Sequence, residues 1–405
     1  MNLTVLLDLD NTIITNDMGR FLPAYLKKLS SYLSEWPAEK VIQELLAGTK
    51  NMVDKRSPAH TLEEEFDKVF YPGLGVEKSE LRGQIDQFYR EGFPTLEKIT
   101  SPRPQAQDLV DFLFEKGYQV VIATNPLFPA TAIEQRLKWA GLPVDQYPFS
   151  LVTSYESFHF SKPNPAYLTE ILAQLGWPDR PAVVVGDGLE EEIIPAGKLG
   201  IPVYWVNEDN KPLPTGMHPL STSGPIHRVK TWIESLEGAE ISDVSVSSPA
   251  AICALLNSTP AALETLSKKL SENEWCFRPA SNEWAVNEIF SHLRDVDQEV
   301  NLPRMKLVAS GKNPFLAGIV TDIWAEERKY ILEDGKASLT TFIKTRSDLV
   351  ELLIGLSPES WKLPAQHAIF GPTNILELTG FIATHDRTHI RQVSAVINHL
   401  HSKKK

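Results

Sequence analysis

The chain has 405 residues, 42% of them hydrophobic, and its 40 lysines and arginines face 52 aspartates and glutamates, a formal net charge of −12. That length and apolar content predict two or three packed domains. The acidic balance argues against a nucleic-acid or membrane-surface partner, the only basic run being the terminal Lys403-Lys404-Lys405.

The two cysteines, Cys253 and Cys276, make no disulfide framework and read as buried apolar fillers. The chain enters a strand almost at once, without a basic leader, and has no apolar stretch long enough to span a bilayer, so a cytoplasmic location is expected.

The first predicted element is the most informative. Val5-Leu6-Leu7 is an apolar strand that runs into Asp8-Leu9-Asp10-Asn11-Thr12. Two carboxylates one residue apart fall on the same side of the pleat, at the C-terminal edge where open α/β sheets place ligands. About a hundred residues of helical pattern follow, over 24–34, 38–47, 62–70 and 78–91. Then comes a second buried-type strand, Val120-Val121-Ile122-Ala123, ending in Thr124 and stopped by Pro126.

Lys162 stands in a proline-flanked loop, Ser161-Lys162-Pro163-Asn164-Pro165, just before a helical stretch. Its charge suits an anion. A third apolar strand, 182–186, delivers Asp187 and is followed by Glu190-Glu191-Glu192, which suit a cation. Taken singly, Thr124 also reads as a helix cap and Lys162 as a solvated loop lysine.

In this order the four segments resemble the motifs of the haloacid dehalogenase superfamily of hydrolases, over roughly residues 1–236. The resemblance implies that Asp8 is a nucleophile forming an aspartyl-phosphate. It implies that Asp10 is the general acid for the leaving group and then the base for water, and that Thr124 and Lys162 hold phosphoryl oxygens. It further implies that Asp187 binds Mg2+ with the Asp8 carboxylate and the Asp10 backbone carbonyl. Independently, a carboxylate attacking a phosphate needs a divalent cation and a lysine to offset charge repulsion, and Mg2+ prefers oxygen ligands. One departure stands out: the superfamily's second motif-four aspartate is Glu192 here, one methylene longer, placed to reach the Mg2+ shell through water or to pair with Lys162. The helical insertion, about 15–100, resembles the superfamily's helical cap.

Residues 237–249 read as a linker rich in serine. From 250 the strand signal fades. Val286, Ile289, Phe290, Leu293, Val296 and Val300 form one face of an amphipathic helix with His292 on its rim. In the last helix the seam Leu378, Ile382, His385, His389, Val393, Val396, Leu400 carries two histidines at inward positions. Buried imidazoles one turn apart need partners, and either hydrogen bonds or a shared metal supplies them. The Trp284–Glu299 stretch with the H-x-x-x-H pair at 385 and 389 resembles the DinB-like four-helix bundle superfamily over about 250–401. That resemblance implies a divalent metal held by His292, His385 and His389, with Zn2+, Ni2+ or a similar ion favoured by imidazole.

The expected fold is α/β, a doubly wound, mostly parallel sheet (1–236) with an inserted cap, followed by an all-α four-helix bundle (250–401). The expected function is Mg2+-dependent hydrolysis of a small phosphorylated metabolite, with a separate metal site in the bundle and room for a homodimer. Two rivals are a metal-dependent hydrolase or thiol S-transferase seated in the bundle, and a non-catalytic sensor of metabolite or metal.

Overall fold

The structure, a computed structural model, describes residues 2–402, so the lysine run at 403–405 lies outside the described residues. The chain divides into two compact units. The first comprises the residues up to Arg56, His60–Asn164 and Arg180–Asp243; the second comprises Ser57–Ala59, Pro165–Asp179 and the chain from Val244 onward.

In the first unit, β1 (Thr4–Leu7) and β2 (Ile14–Asn16) precede four helices, α1 (Met18–Tyr32), α2 (Ala38–Asp54), α3 (Leu62–Leu74) and α4 (Lys78–Gln87). The chain then runs through β3 (Thr100–Pro102), α5 (Pro104–Glu115), β4 (Gln119–Ile122), α6 (Ala130–Trp139) and β5 (Leu151–Val152). It leaves for α7 (Pro165–Gln174), which belongs to the second unit, and returns with β6 (Ala182–Gly186), α8 (Ile194–Lys198), β7 (Val203–Val206), β8 (Thr222–Gly224) and α9 (Val229–Ser235).

Strands in the order β5-β4-β1-β6-β7-β8 form one sheet, parallel throughout. Strand β1 buries all four of its residues, as a parallel sheet covered on both faces requires. β2 and β3 make a separate antiparallel pair at either end of the cap insertion. The cap helices are punctuated as their sequence dictates. Asp17 caps α1 through Gly19 N at 2.9 Å, and Thr61 with Glu64 forms a capping box on α3. Cap and sheet share one apolar core, joined where Phe93 stacks on Trp139 of α6 at 5.3 Å. Edge strand β8 gives no strand signal in the sequence, because three residues without an apolar run carry no period.

The second unit is built on four long helices, α10 (Pro249–Ser267), α12 (Val286–Val296), α15 (Gly335–Ile354) and α16 (Ile375–Ser402). Short helices α11 (Glu272–Trp275), α13 (Leu302–Ala309) and α14 (Trp324–Glu327) lie in the connections. Ser248 caps α10, with Pro249 at its first position. α7 packs on α10, Thr169 Oγ1 donating to the Ala254 carbonyl at 3.0 Å.

The all-α expectation needs one amendment: β9 (Phe315–Leu316), β10 (Pro364–His367) and β11 (Gly371–Asn374) form a small sheet. These strands are too short and too rich in proline and glycine to show alternation. Cys276 is also exposed, accepting a hydrogen bond from Asn287 Nδ2 at 3.5 Å, so it is no core filler.

Candidate active site and candidate metal centre

The register of the parallel sheet gathers the first set of residues. Leu7 pairs with Ile122 on one side and Val185 on the other, so Asp8, Thr124 and Asp187 emerge together at the C-terminal edge. Asp8 is buried, and its backbone N–H donates to the Val185 carbonyl at 3.0 Å. Lys162 Nζ, also buried, donates to Asp8 Oδ1 at 2.7 Å and to Glu192 Oε1 at 2.6 Å. Asp8, Asp187 and Glu192 each bring a carboxylate oxygen within 4.8 Å of the others.

Glu192 arrives there on a single π-turn, Leu189–Ile193, the kind of helical irregularity common at functional sites. Room for it comes from Gly186: a Cβ there would lie 1.6 Å from Glu192 Oε2 and 3.2 Å from Asp8 Cβ. The carboxylates are crowded electrically as well. Burial and the neighbouring Asp8 charge push the Asp187 carboxyl up to about 7, and the same two causes hold Glu192 well above the usual carboxylate range. Glu192 Oε2 is buried with no hydrogen-bond partner among the described residues. Three hard oxygen donors facing one lysine, one of them orphaned, fit a divalent cation such as Mg2+.

The Asp10 carboxylate is held by a different set of partners. Its Oδ1 pairs with the buried Arg136 of α6 and accepts from Asn16 Nδ2 at 2.8 Å. Burial pushes its pKa up, but the Arg136 charge and the hydrogen bonds outweigh burial and hold the carboxyl below its ordinary value. Thr124 is buried at the sheet edge, its carbonyl accepting from Thr153 Oγ1 at 2.7 Å.

In the second unit the three histidines meet. His292 Nε2 lies 3.1 Å from His385 Nε2, and His389 Nε2 lies 3.0 Å from the same atom. His389 Nδ1 donates to Gln392 Oε1 at 2.8 Å, which leaves the lone pair of its Nε2 facing the centre. Burial, with the neighbouring imidazoles, drives all three down to about 3, so the rings are neutral at ordinary pH. Three neutral imidazoles aimed at one point can share protons pairwise but not all together. A tetrahedral ion with metal–nitrogen bonds of about 2.0–2.1 Å sets its ligand nitrogens about 3.3 Å apart, close to these separations. The donor set fits a divalent transition metal.

Trp284 covers the triad, its ring parallel to His389 within 4° at 6.0 Å. Beneath it, buried Arg346 of α15 bridges Asp297 (2.7 and 3.1 Å) and Asp386, the neighbour of His385.

Sequence reasoning missed Asn16, Arg136, Arg346 and Gln392. Arg136 was findable, because it interrupts the apolar stripe Ile133–Leu137 of α6, and Arg346 interrupts Phe342–Leu349 in the same way. Gln392 is one turn beyond His389 on its face. Asn16 gives no such signal, since its partner Asp10 is brought round by a turn in which Asn11 takes a left-handed φ of 54°.

The sequence model of the haloacid dehalogenase-like hydrolase family matches residues 3–200, a span holding Asp8, Asp10, Thr124, Lys162, Asp187 and Glu192. The DinB superfamily model matches residues 255–393, which include all three histidines. A comparison with curated proteins finds no match. Among solved structures, the chain is similar to a 2-haloacid dehalogenase from Pseudomonas syringae pv. Tomato DC3000 (20% identity, TM-score 0.43), covering 58% of this chain and 99% of that one. It is similar to an HAD phosphatase from Thermococcus onnurineus (20% identity, TM-score 0.37; 60% of this chain, 100% of that one). It is also similar to YfiT from Bacillus subtilis, described as a probable metal-dependent hydrolase with an unusual four-helix bundle topology (18% identity, TM-score 0.35; 38% and 89%). The chain is a haloacid dehalogenase-like hydrolase over residues 3–200 joined to a DinB-superfamily domain over residues 255–393.

Proposed function

We propose that the first unit hydrolyses a small phosphomonoester with the help of Mg2+, through an aspartyl-phosphate on Asp8. The observation that carries this reading is the buried Asp8–Lys162–Glu192 constellation beside Asp187 at the sheet edge. Mg2+, held by Asp8, Asp187 and the Asp10 carbonyl, would supply positive charge against the phosphoryl oxygens.

An Asp8 carboxylate oxygen attacks phosphorus. The bond from phosphorus to the ester oxygen breaks, its electron pair stays with that oxygen, and Asp10 in its acid form protonates it. Asp10, now a carboxylate, takes a proton from the water that attacks the phosphoenzyme, and inorganic phosphate leaves with Asp8 restored. Arg136 favours the carboxylate form of Asp10, the form this second half requires. Lys162 and Thr124 hold phosphoryl oxygens throughout.

Turnover of a panel of phosphate esters, with and without Mg2+, tests the reading in the wild type and in Asp8→Asn. Mg2+-dependent phosphate release is expected from the wild type and none from the variant, whose circular dichroism stays native. Unchanged turnover in Asp8→Asn refutes the mechanism.

The converging imidazoles support a second reading, that His292, His385 and His389 hold Zn2+, Ni2+ or a similar ion. Full-length protein purified without chelators then carries about one such ion per chain by elemental analysis. Protein with no bound ion and no gain in thermal stability on adding Zn2+ or Ni2+ returns the histidines to a hydrogen-bonded core.

A further inference from the structure

Inside the first unit, a cavity of about 190 Å3 lies among α1, α2, α3, α4 and the segment that follows β4. Its wall is aliphatic and aromatic, with Leu22, Leu46, Phe66 and Phe128 among its residues, and among the described residues no charged side chain lines it. The polar groups that reach it are chiefly tyrosine hydroxyls. Tyr25 and Tyr89 bond to each other at 3.0 Å, and burial keeps both phenols neutral, Tyr25 at about 12. An uncharged room of this kind strips water from whatever enters and offers little to a ligand rich in hydroxyls or carboxylates.

The cavity adjoins the group assigned to the leaving oxygen. Asn16 Nδ2, which donates to Asp10 Oδ1 at 2.8 Å, also lies 3.6 Å from the sulfur of Met18, a wall residue. On the other side Arg136, the partner of Asp10, has its guanidinium 5.7 Å from the ring centre of Phe128, another wall residue. An ester oxygen at Asp10 therefore has its organic remainder beside this room. In volume, a dry cavity of about 150 Å3 lined by Leu, Ile and Phe holds benzene.

We propose that the phosphoester hydrolysed here carries an apolar leaving group, an aromatic ring or branched alkyl chain of about that size, which seats in the cavity of the cap. This rests on the phosphohydrolase reading and narrows its substrate class: glycolate, glycerol and sugar phosphates are poor substrates.

The test compares kcat/KM for benzyl phosphate and glycerol 3-phosphate in full-length protein. Benzyl phosphate should lead by at least about tenfold, the return expected from burying a ring. Leu46→Trp, at the partly exposed rim, should remove most of that lead by lowering kcat/KM for benzyl phosphate far more than for glycerol 3-phosphate, and Thr49→Trp repeats the test from the next turn of α2. Equal kcat/KM for the two esters, or equal losses on both in the rim variants, overturns the proposal.

If no ester is turned over, the phosphohydrolase reading fails instead. Calorimetry with benzyl alcohol then reads the cavity directly. Binding that Leu46→Trp abolishes upholds an apolar site, and no binding to the wild type overturns it.

Discussion

Replacing Lys162 by methionine keeps most of the apolar length of the side chain and removes the cation that touches the buried carboxylates of Asp8 and Glu192. At an effective dielectric of about 20, each contact, at 2.6–2.7 Å, is a gross attraction of about 6 kcal/mol. Desolvation of the three groups offsets most of that, and breaking a buried pair costs about 3–5 kcal/mol on balance. Glu192 softens the loss, since burial and Asp8 already favour its protonated form. About 3 kcal/mol of local stability should therefore go, together with about 10²–10³ in kcat from the missing oxyanion charge. Amide hydrogen exchange in β1 and β6, read on the full-length protein, follows the first loss, and phosphate release follows the second. Added Mg2+ should recover part of the protection but not the rate, because it replaces charge without restoring the donor. Exchange at wild-type rates with kcat within threefold of wild type would refute the assignment of Lys162 as the charge that holds this site together.

Glu192→Asp withdraws a carboxylate from Lys162 and leaves a gap beside Gly186, so a modest change in rate or Mg2+ affinity is expected, whereas Asp187→Asn should be severe. Equal effects from the two in a Mg2+ titration would show that the ligand set is wrong. His385→Ala combined with His389→Ala should remove the transition metal by elemental analysis while phosphatase turnover stays largely intact; metal retained at the wild-type level would sink the triad. Arg346→Met strands Asp297 and Asp386 in the core and should cost about 3–5 kcal/mol in the second unit, by exchange at α15 and α16. Adding Asp297→Asn and Asp386→Asn should restore part of it, and no recovery would point to packing instead of charge.

Local chemistry made much of this legible. An apolar run ending in Asp8 announces a buried parallel strand and what stands at its tip, and the cap helices carry their own stop signals, as in the Thr61 box. The i, i+4 spacing of His385 and His389 is likewise a property of one helix. What escaped depends on distance along the chain. The Arg136–Asp10 pair joins residues 126 apart, and Arg346 joins Asp297 and Asp386 from 49 and 40 residues away. Ion pairs of that separation leave only an interrupted apolar stripe in the sequence. The π-turn that swings Glu192 under Gly186 leaves nothing, because one extra residue in a helical turn does not alter composition or period enough to read.

Helix α7 gives the chain an awkward anatomy. It lies between Lys162 and Asp187 in sequence, yet it packs with the C-terminal helices, burying Tyr167, Leu168, Ile171 and Leu172 and bonding through Thr169 to α10. A cut anywhere in the serine-rich stretch before α10 would thus sever a helix from its own layer. The fragment beginning at residue 250 would present a bare α10 surface, and the fragment ending there would display the apolar side of α7 to water. Halves expressed apart are candidates for aggregation, whereas the same halves mixed would have reason to find each other. In such a chain the Asp8 motif and the histidine triad are inherited as one piece, and a swap of either domain for a relative must carry residues 165–179 with the bundle.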